Sequence, residues 1–313
     1  MPFCRRLVAA GLLACVCSIA QESGNVDAKT KVRTAKSLSK SGSESIPQLL
    51  PLLKDPAVDV RREAVRSLIT IGTQYSLEPL IAATRDNDAD VQIRATEGIV
   101  NFYLPGYVES GSLQRVTSAV RSRFDRENRD VIDPYVTVRP DAIRALASLV
   151  RGGASIEGRA SAARALGILR GQAGLPELIT ALRSKEDAVI FESLIALQKI
   201  RDESAGARVI FLLRDLEERI QVAAIETAGL LRTHDAVLDL RTVYGEAKSD
   251  RVKRAALGAL AMIADPSVKV LFQNGITDKS EGVRASAAEG FARLKDKSTR
   301  PALETLFTNE KKM

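Results

Sequence analysis

Apolar residues recur along this chain at two nested spacings. Between Asp55 and Gly72, Val60, Ala64, Leu68 and Ile71 follow one another at steps of 4, 4 and 3. That spacing lines one side of an α-helix, because 3.6 residues make a turn. The quartet returns at Val91, Ala95, Ile99 and Phe102; at Val189, Ser193, Leu197 and Ile200; and at Ile220, Ala224, Ala228 and Leu231. Two further copies stand at Val252, Ala256, Leu260 and Ile263 and at Val283, Ala287, Phe291 and Leu294. The first positions are Val60, Val91, Val189, Ile220, Val252 and Val283, a nearly constant step broken only by the long interval from Val91 to Val189. A second apolar run precedes each quartet, over 46–53, 77–83, 175–182, 207–213, 237–244 and 268–272. The pattern predicts hairpins of two antiparallel helices. Asp55-Pro56, Asp86-Asn87, Asp215 and Asp278 fall in the turn just before the quartet, where Asp caps or Pro opens the second helix.

The pattern resembles the HEAT-repeat family, especially the short bacterial HEAT-like repeats also found in phycobilisome lyases. The matching residues are Asp55, Val60, Arg61 and Ala64; Asp278, Val283, Arg284 and Ala287; and, less completely, Val252, Lys253 and Ala256. The resemblance implies an all-α fold, a right-handed superhelical α-solenoid of about eight HEAT-like helical hairpins spanning residues 46–308. One hairpin is irregular. The long interval holds two weaker copies, the better over 141–151 and 156–170, with Ala162, Leu166 and Leu169 in phase. The other has a plausible first helix over 112–124, but its second helix, around 127–140, meets Pro134 and the β-branched run Val136-Thr137-Val138. A half-repeat over 299–307 closes the solenoid, and residues 309–313 form a polar tail.

The N-terminus reads as an export signal. Arg5 and Arg6 precede an uncharged stretch from Leu7 to Ala20, followed by polar Gln21-Glu22-Ser23-Gly24. Ser18 and Ala20 sit at the positions a signal peptidase reads, so residues 1–20 are expected to be removed and the mature chain to start at Gln21. Leu12-Leu13-Ala14-Cys15 also resembles a bacterial lipobox, which leaves acylation of Cys15 open, as it leaves a retained anchor. The expected location is periplasmic or secreted. Residues 21–45, rich in Ser, Lys and Gly, read as a flexible leader.

Composition narrows the chemistry. The 313 residues include one His, three Cys and no Trp, and all three cysteines (Cys4, Cys15, Cys17) lie in the signal segment. A mature chain has no thiol for a disulfide and too few ligands for a tetrahedral zinc site. HEAT-like hydroxylases bind iron through several His-Glu pairs, which this chain lacks. No phosphate-binding G-x-x-x-x-G-K-[ST] and no G-x-S-x-G nucleophile turn occurs. His234 reads as a solvated loop residue. No catalytic, cofactor-binding or metal-ligating residue is therefore predicted. Without residues 1–20, 44 basic residues face 39 acidic ones, an excess of +5 that marks no polyanion binder.

Chemistry of recognition concentrates in the irregular repeat. Five of 13 aromatic residues, Phe102, Tyr103, Tyr107, Phe124 and Tyr135, fall between 102 and 135, beside Arg115, Arg121, Arg123, Arg126, Arg129 and Arg139. Tyr and Arg dominate binding energy at interfaces. Tyr103, Tyr107, Arg121, Arg123, Arg126, Arg129, Tyr135 and Arg139 are thus the candidate partner-binding residues; the plainer alternative is rings filling space beside solvated arginines. Arg61, Arg159, Lys253 and Arg284 recur one position beyond the start of the quartet and are expected to pair with Asp55, Asp86, Asp250 and Asp278 of neighbouring turns. The expected function is a noncatalytic exported scaffold or adaptor for a protein partner. Membrane contact is expected only through an acylated Cys15 or a retained signal. A lyase-type module and a nucleic-acid binder are the alternatives; neither fits an export signal.

Overall fold

A computed structural model describes residues 27–108, 130–295 and 297–310, which contain helices and turns and no strand. The chain forms two compact units, Met1–Arg115 and Val116–Met313.

The first unit opens with a helix over 27–38 (α1). These residues are helical and not the flexible leader that their composition suggests. Ala28, Val32, Ala35 and Leu38 make a narrow apolar stripe that polar neighbours hide from composition alone. Ala35 is fully buried, and its carbonyl accepts the Ser67 hydroxyl at 2.8 Å. The first hairpin follows. Its first arm is split into a 3₁₀ turn Gly42–Ser45, a short helix Ile46–Leu49 (α2) and a 3₁₀ turn Leu52–Lys54. Pro51 is the cause: it has no N–H to return to Pro47, so the arm tightens after it. The second arm is Val58–Ile71 (α3). The second hairpin pairs Gln74–Ala83 (α4) with Ala89–Tyr103 (α5). Both hairpin turns are held by a side chain. Asp55 accepts the Ala57 N–H at 2.9 Å and Asp86 the Asp88 N–H at 2.8 Å.

The described part of the second unit starts with a non-helical segment over 130–139, as Pro134 and the β-branched run require. Ile132 is buried there, and its N–H donates to the Ile168 carbonyl at 3.0 Å. The next hairpin pairs Pro140–Gly152 (α6) with Ile156–Ile168 (α7). Three of the four hairpins that follow have a first arm in which a 3₁₀ turn leads into a short helix: Leu175–Ala181 (α8), Val237–Glu246 (α11) and Lys269–Gly275 (α13). Their second arms are Asp187–Ile200 (α9), Asp250–Ile263 (α12) and Glu281–Leu294 (α14). The hairpin between α9 and α11 keeps 207–213 in 3₁₀ turns, Glu203–Arg208 and Ile210–Leu212, where the pattern predicts an ordinary helix; its second arm is Glu218–Leu230 (α10). A 3₁₀ turn Lys297–Thr299 and Arg300–Glu310 (α15) close the unit, so the helix runs into the start of the expected tail.

The core is the predicted stripe. The first three positions of all six quartets are buried, while the fourth is half-exposed in four of them, at Ile71, Phe102, Ile200 and Leu294. Second arms pack directly on one another. At Gly167 an added Cβ would stand 2.7 Å from the Ala196 Cα, and at Gly229 2.7 Å from the Ala259 Cα, so only glycine permits these approaches. Each second arm of unit two from α7 onward ends in a left-handed residue: Arg170, Arg201, Arg232, Ala264 and Lys295. The backbone thus repeats at the same step as the apolar pattern.

Candidate functional site

The basic residues of the second arms are largely structural. Arg61, 8% exposed, donates from Nε to Asp86 Oδ2 at 2.7 Å and from Nη2 to Asp86 Oδ1 at 2.9 Å. Its Nη1 donates to the carbonyls of Asp55 and Pro56 at 3.0 and 3.3 Å. Lys253 donates in the same way to Asp278, and Lys31 to Asp55 at 3.0 Å. In each pair the carboxylate comes from the hairpin that follows. The Lys253 ammonium and the Ser280 N–H together hold the Asp278 carboxyl below its usual range. Arg159 departs from the expected ladder and caps the Val150 carbonyl at 3.1 Å. Arg284 donates to the carbonyls of Asp278 and Lys279, both at 3.0 Å. Asp250 sits in the first turn of α12, where it acts on Lys253 through its charge.

Of the predicted recognition residues, Arg121, Arg123, Arg126 and Arg129 lie outside the described residues. Tyr103 closes α5 in the first unit, its ring edge-on to Phe102 with centroids 5.0 Å apart, and Tyr107 follows in the turn beyond. Tyr135 and Arg139 belong to the second unit. Tyr135 is 82% exposed, and its hydroxyl donates to Asp133 at 2.9 Å, which raises its pKa. Arg139 grips Asp141 through two bonds of 3.0 and 2.5 Å immediately before α6.

Sequence reading missed an apolar groove in the first unit, about 800 Å³ in volume, between the first arms of its two hairpins. Ile46, Pro47, Leu50, Leu53, Tyr75 and Pro79 line it. Leu50 is 43% and Tyr75 63% exposed, large apolar surfaces turned to solvent. The second arms α3 and α5 pack closely while the first arms make few direct contacts, and this splay opens the cleft. Besides Asp86, which Arg61 holds, its rim carries four charged side chains, Glu44, Lys54, Glu78 and Arg85. None makes an ion pair or side-chain hydrogen bond among the described residues. A signal did exist in the sequence: three prolines (Pro47, Pro51, Pro79) fall in the two consecutive first arms.

His234 Nδ1 lies 3.9 Å from Asp265 Oδ2 on an exposed turn. Glu226 on α10 has no hydrogen bond or ion pair among the described residues; burial pushes its carboxyl up, and the charges of Arg251 and Arg254 offset part of that shift. No group of three or more His, Cys, Asp or Glu among the described residues is placed to hold a metal ion, and no described helix is long and apolar enough to cross a membrane.

Comparison with known proteins places this architecture. Residues 18–100 match the model of HEAT repeats, and residues 158–184 match the PBS lyase HEAT-like repeat. These two stretches are thus similar to HEAT repeats, the second to the repeat of the phycobilisome-lyase type, and the fold that carries them is an all-α solenoid. No curated protein matches the sequence. Among solved structures, an engineered protein is 19% identical over 85% of this chain and 84% of its own, with a TM-score of 0.41. The CpcE–CpcF complex of phycocyanin lyase from Nostoc sp. PCC7120 is 16% identical over 84% of this chain and 94% of its own, with a TM-score of 0.41. Human deoxyhypusine hydroxylase is 15% identical over 88% of this chain and 97% of its own, with a TM-score of 0.34.

Proposed function

We propose that this protein is a noncatalytic, exported scaffold that holds a protein partner, with residues 101–139 as a specific contact. The observation that carries the reading is the recurrence of hairpins at a constant step, whose basic residues at the recurring positions are committed to neighbouring turns or carbonyls. Repeats of this kind offer extended surface to a partner rather than a single reactive centre. In the sequence, the segment over 101–139 interrupts the apolar pattern and carries aromatic and arginine residues of the types suited to recognition. Replacing Tyr103, Tyr107, Arg121 and Arg123 by Ala is expected to abolish capture of a native crosslinked partner while leaving helical content unchanged; undiminished capture rejects this contact.

Export rests on the N-terminal pattern. Intact-mass measurement of the native protein is expected to give a chain starting at Gln21, and an acylated Cys15 would assign a lipid anchor instead. Unprocessed protein in the cytosol overturns export. A second reading, a module acting with a lyase, is favoured by the PBS lyase HEAT-like match over 158–184, and cytosolic protein would favour it.

A further inference from the structure

We propose that the groove of the first unit is a docking site for an extended peptide with an apolar centre, a basic residue at one end and an acidic residue at the other. None of the residues that line the groove falls within 101–139, so failure of this proposal leaves the scaffold reading standing.

Hairpin phase defines the polarity. One repeat step sets Glu44 level with Tyr75, Pro47 with Glu78, and Lys54 with Arg85. Glu44 therefore stands at the start of its arm and Glu78 about midway along α4, three residues further on in phase, while both bases stand at the ends of the arms. Asp86 also lines the basic end, but Arg61 holds it in two hydrogen bonds and neutralises it. The four rim charges are exposed and unmatched among the described residues, and the floor between them is Leu50, Leu53, Pro47 and Pro79. Side chains that settle no contact inside the fold are available to an occupant of opposite polarity. The distance between the two ends fixes its length. About ten residues of helical arm rise about 15–20 Å, which an extended strand covers in about five or six residues. A shorter ligand fills the floor without reaching both ends.

The test uses the full chain and a fluorescein-labelled peptide, Lys-Lys-Leu-Val-Leu-Val-Glu-Glu, followed by anisotropy. The peptide is expected to bind the wild-type chain about tenfold more tightly than Glu-Glu-Leu-Val-Leu-Val-Glu-Glu. The double variant E44K/E78K, altered only at exposed positions, is expected to reverse that preference. The gain for the doubly acidic peptide shows that the variant is folded. An unchanged preference in E44K/E78K overturns the proposal. Displacement of the peptide by dodecanoate, with dodecanoate binding unaffected by E44K/E78K, also overturns it and assigns the groove to an acyl chain.

Discussion

Glu226 and the left-handed residues show how much a single side chain costs in this fold. Burial penalises the ionised Glu226 carboxylate, and Arg251 and Arg254 return only part of the loss. A carboxyl with a raised folded-state pKa destabilises the fold at pH values above that pKa, and the penalty disappears on acidification, once both states are protonated. Glu226→Gln is therefore expected to raise the melting temperature at neutral pH, with the gain shrinking to nothing near about pH 4. A gain that persists in acid contradicts this. The left-handed caps carry a different cost. Ala264 has φ 57° where Gly72 has φ 60°, and a side chain in that region costs about 1–2 kcal/mol. Ala264→Gly is expected to stabilise by about 0.5–1 kcal/mol and Gly72→Ala to destabilise by about 1 kcal/mol, read from urea midpoints. None of these values was legible in the sequence. Arg170, Arg201, Arg232 and Lys295 take the same conformation without the glycine that normally marks it.

At the scale of the element, the second arms were legible and the first arms less so. A second arm is three to four turns of helix and repeats its 4, 4, 3 spacing, so periodicity alone determines its buried side. A first arm is short and interrupted. Periodicity over 207–213 gave no sign of the 3₁₀ turns, and Pro51 splits the first arm that the apolar run over 46–53 suggests. For the same reason the groove escaped notice: it arises between two arms, from the splay of neighbours, and no single run encodes it. α1 was missed because its apolar stripe is narrow and set among lysines and serines. The closest contacts between second arms rest on missing side chains. Gly167→Ala would place a methyl 2.7 Å from the Ala196 backbone, and forcing α7 from α9 is expected to cost about 1–3 kcal/mol. Equilibrium denaturation of that variant checks it; an unchanged midpoint would mean that the two helices have room to spare.

Across the whole molecule, bonds within each unit run from one repeat to the next, through Lys31 to Asp55, Arg61 to Asp86, Arg164 to Glu192, Gln172 to Asp202, Arg214 to Asp239 and Lys253 to Asp278. Stability in such an array is nearly a sum over neighbours. Asp86→Ala strips the carboxylate from a buried guanidinium and is expected to cost about 3 kcal/mol. Hydrogen exchange should show the loss confined to residues 27–108, with protection in α6 to α14 retained; uniform loss along the chain would refute nearest-neighbour coupling. The candidate site was only partly readable at this scale. Tyr103, Tyr107, Tyr135 and Arg139 were named from composition, yet they belong to two units, whereas the groove needed coordinates to be seen.

The bonds from each hairpin to its successor carry a consequence for heredity. A tandem duplication of one hairpin's worth of codons inserts a copy whose acceptor meets the donor before it and whose donor finds the acceptor after it. Chain length can then drift by whole modules without any compensating mutation, whereas a duplication out of phase by a few codons strands both ends.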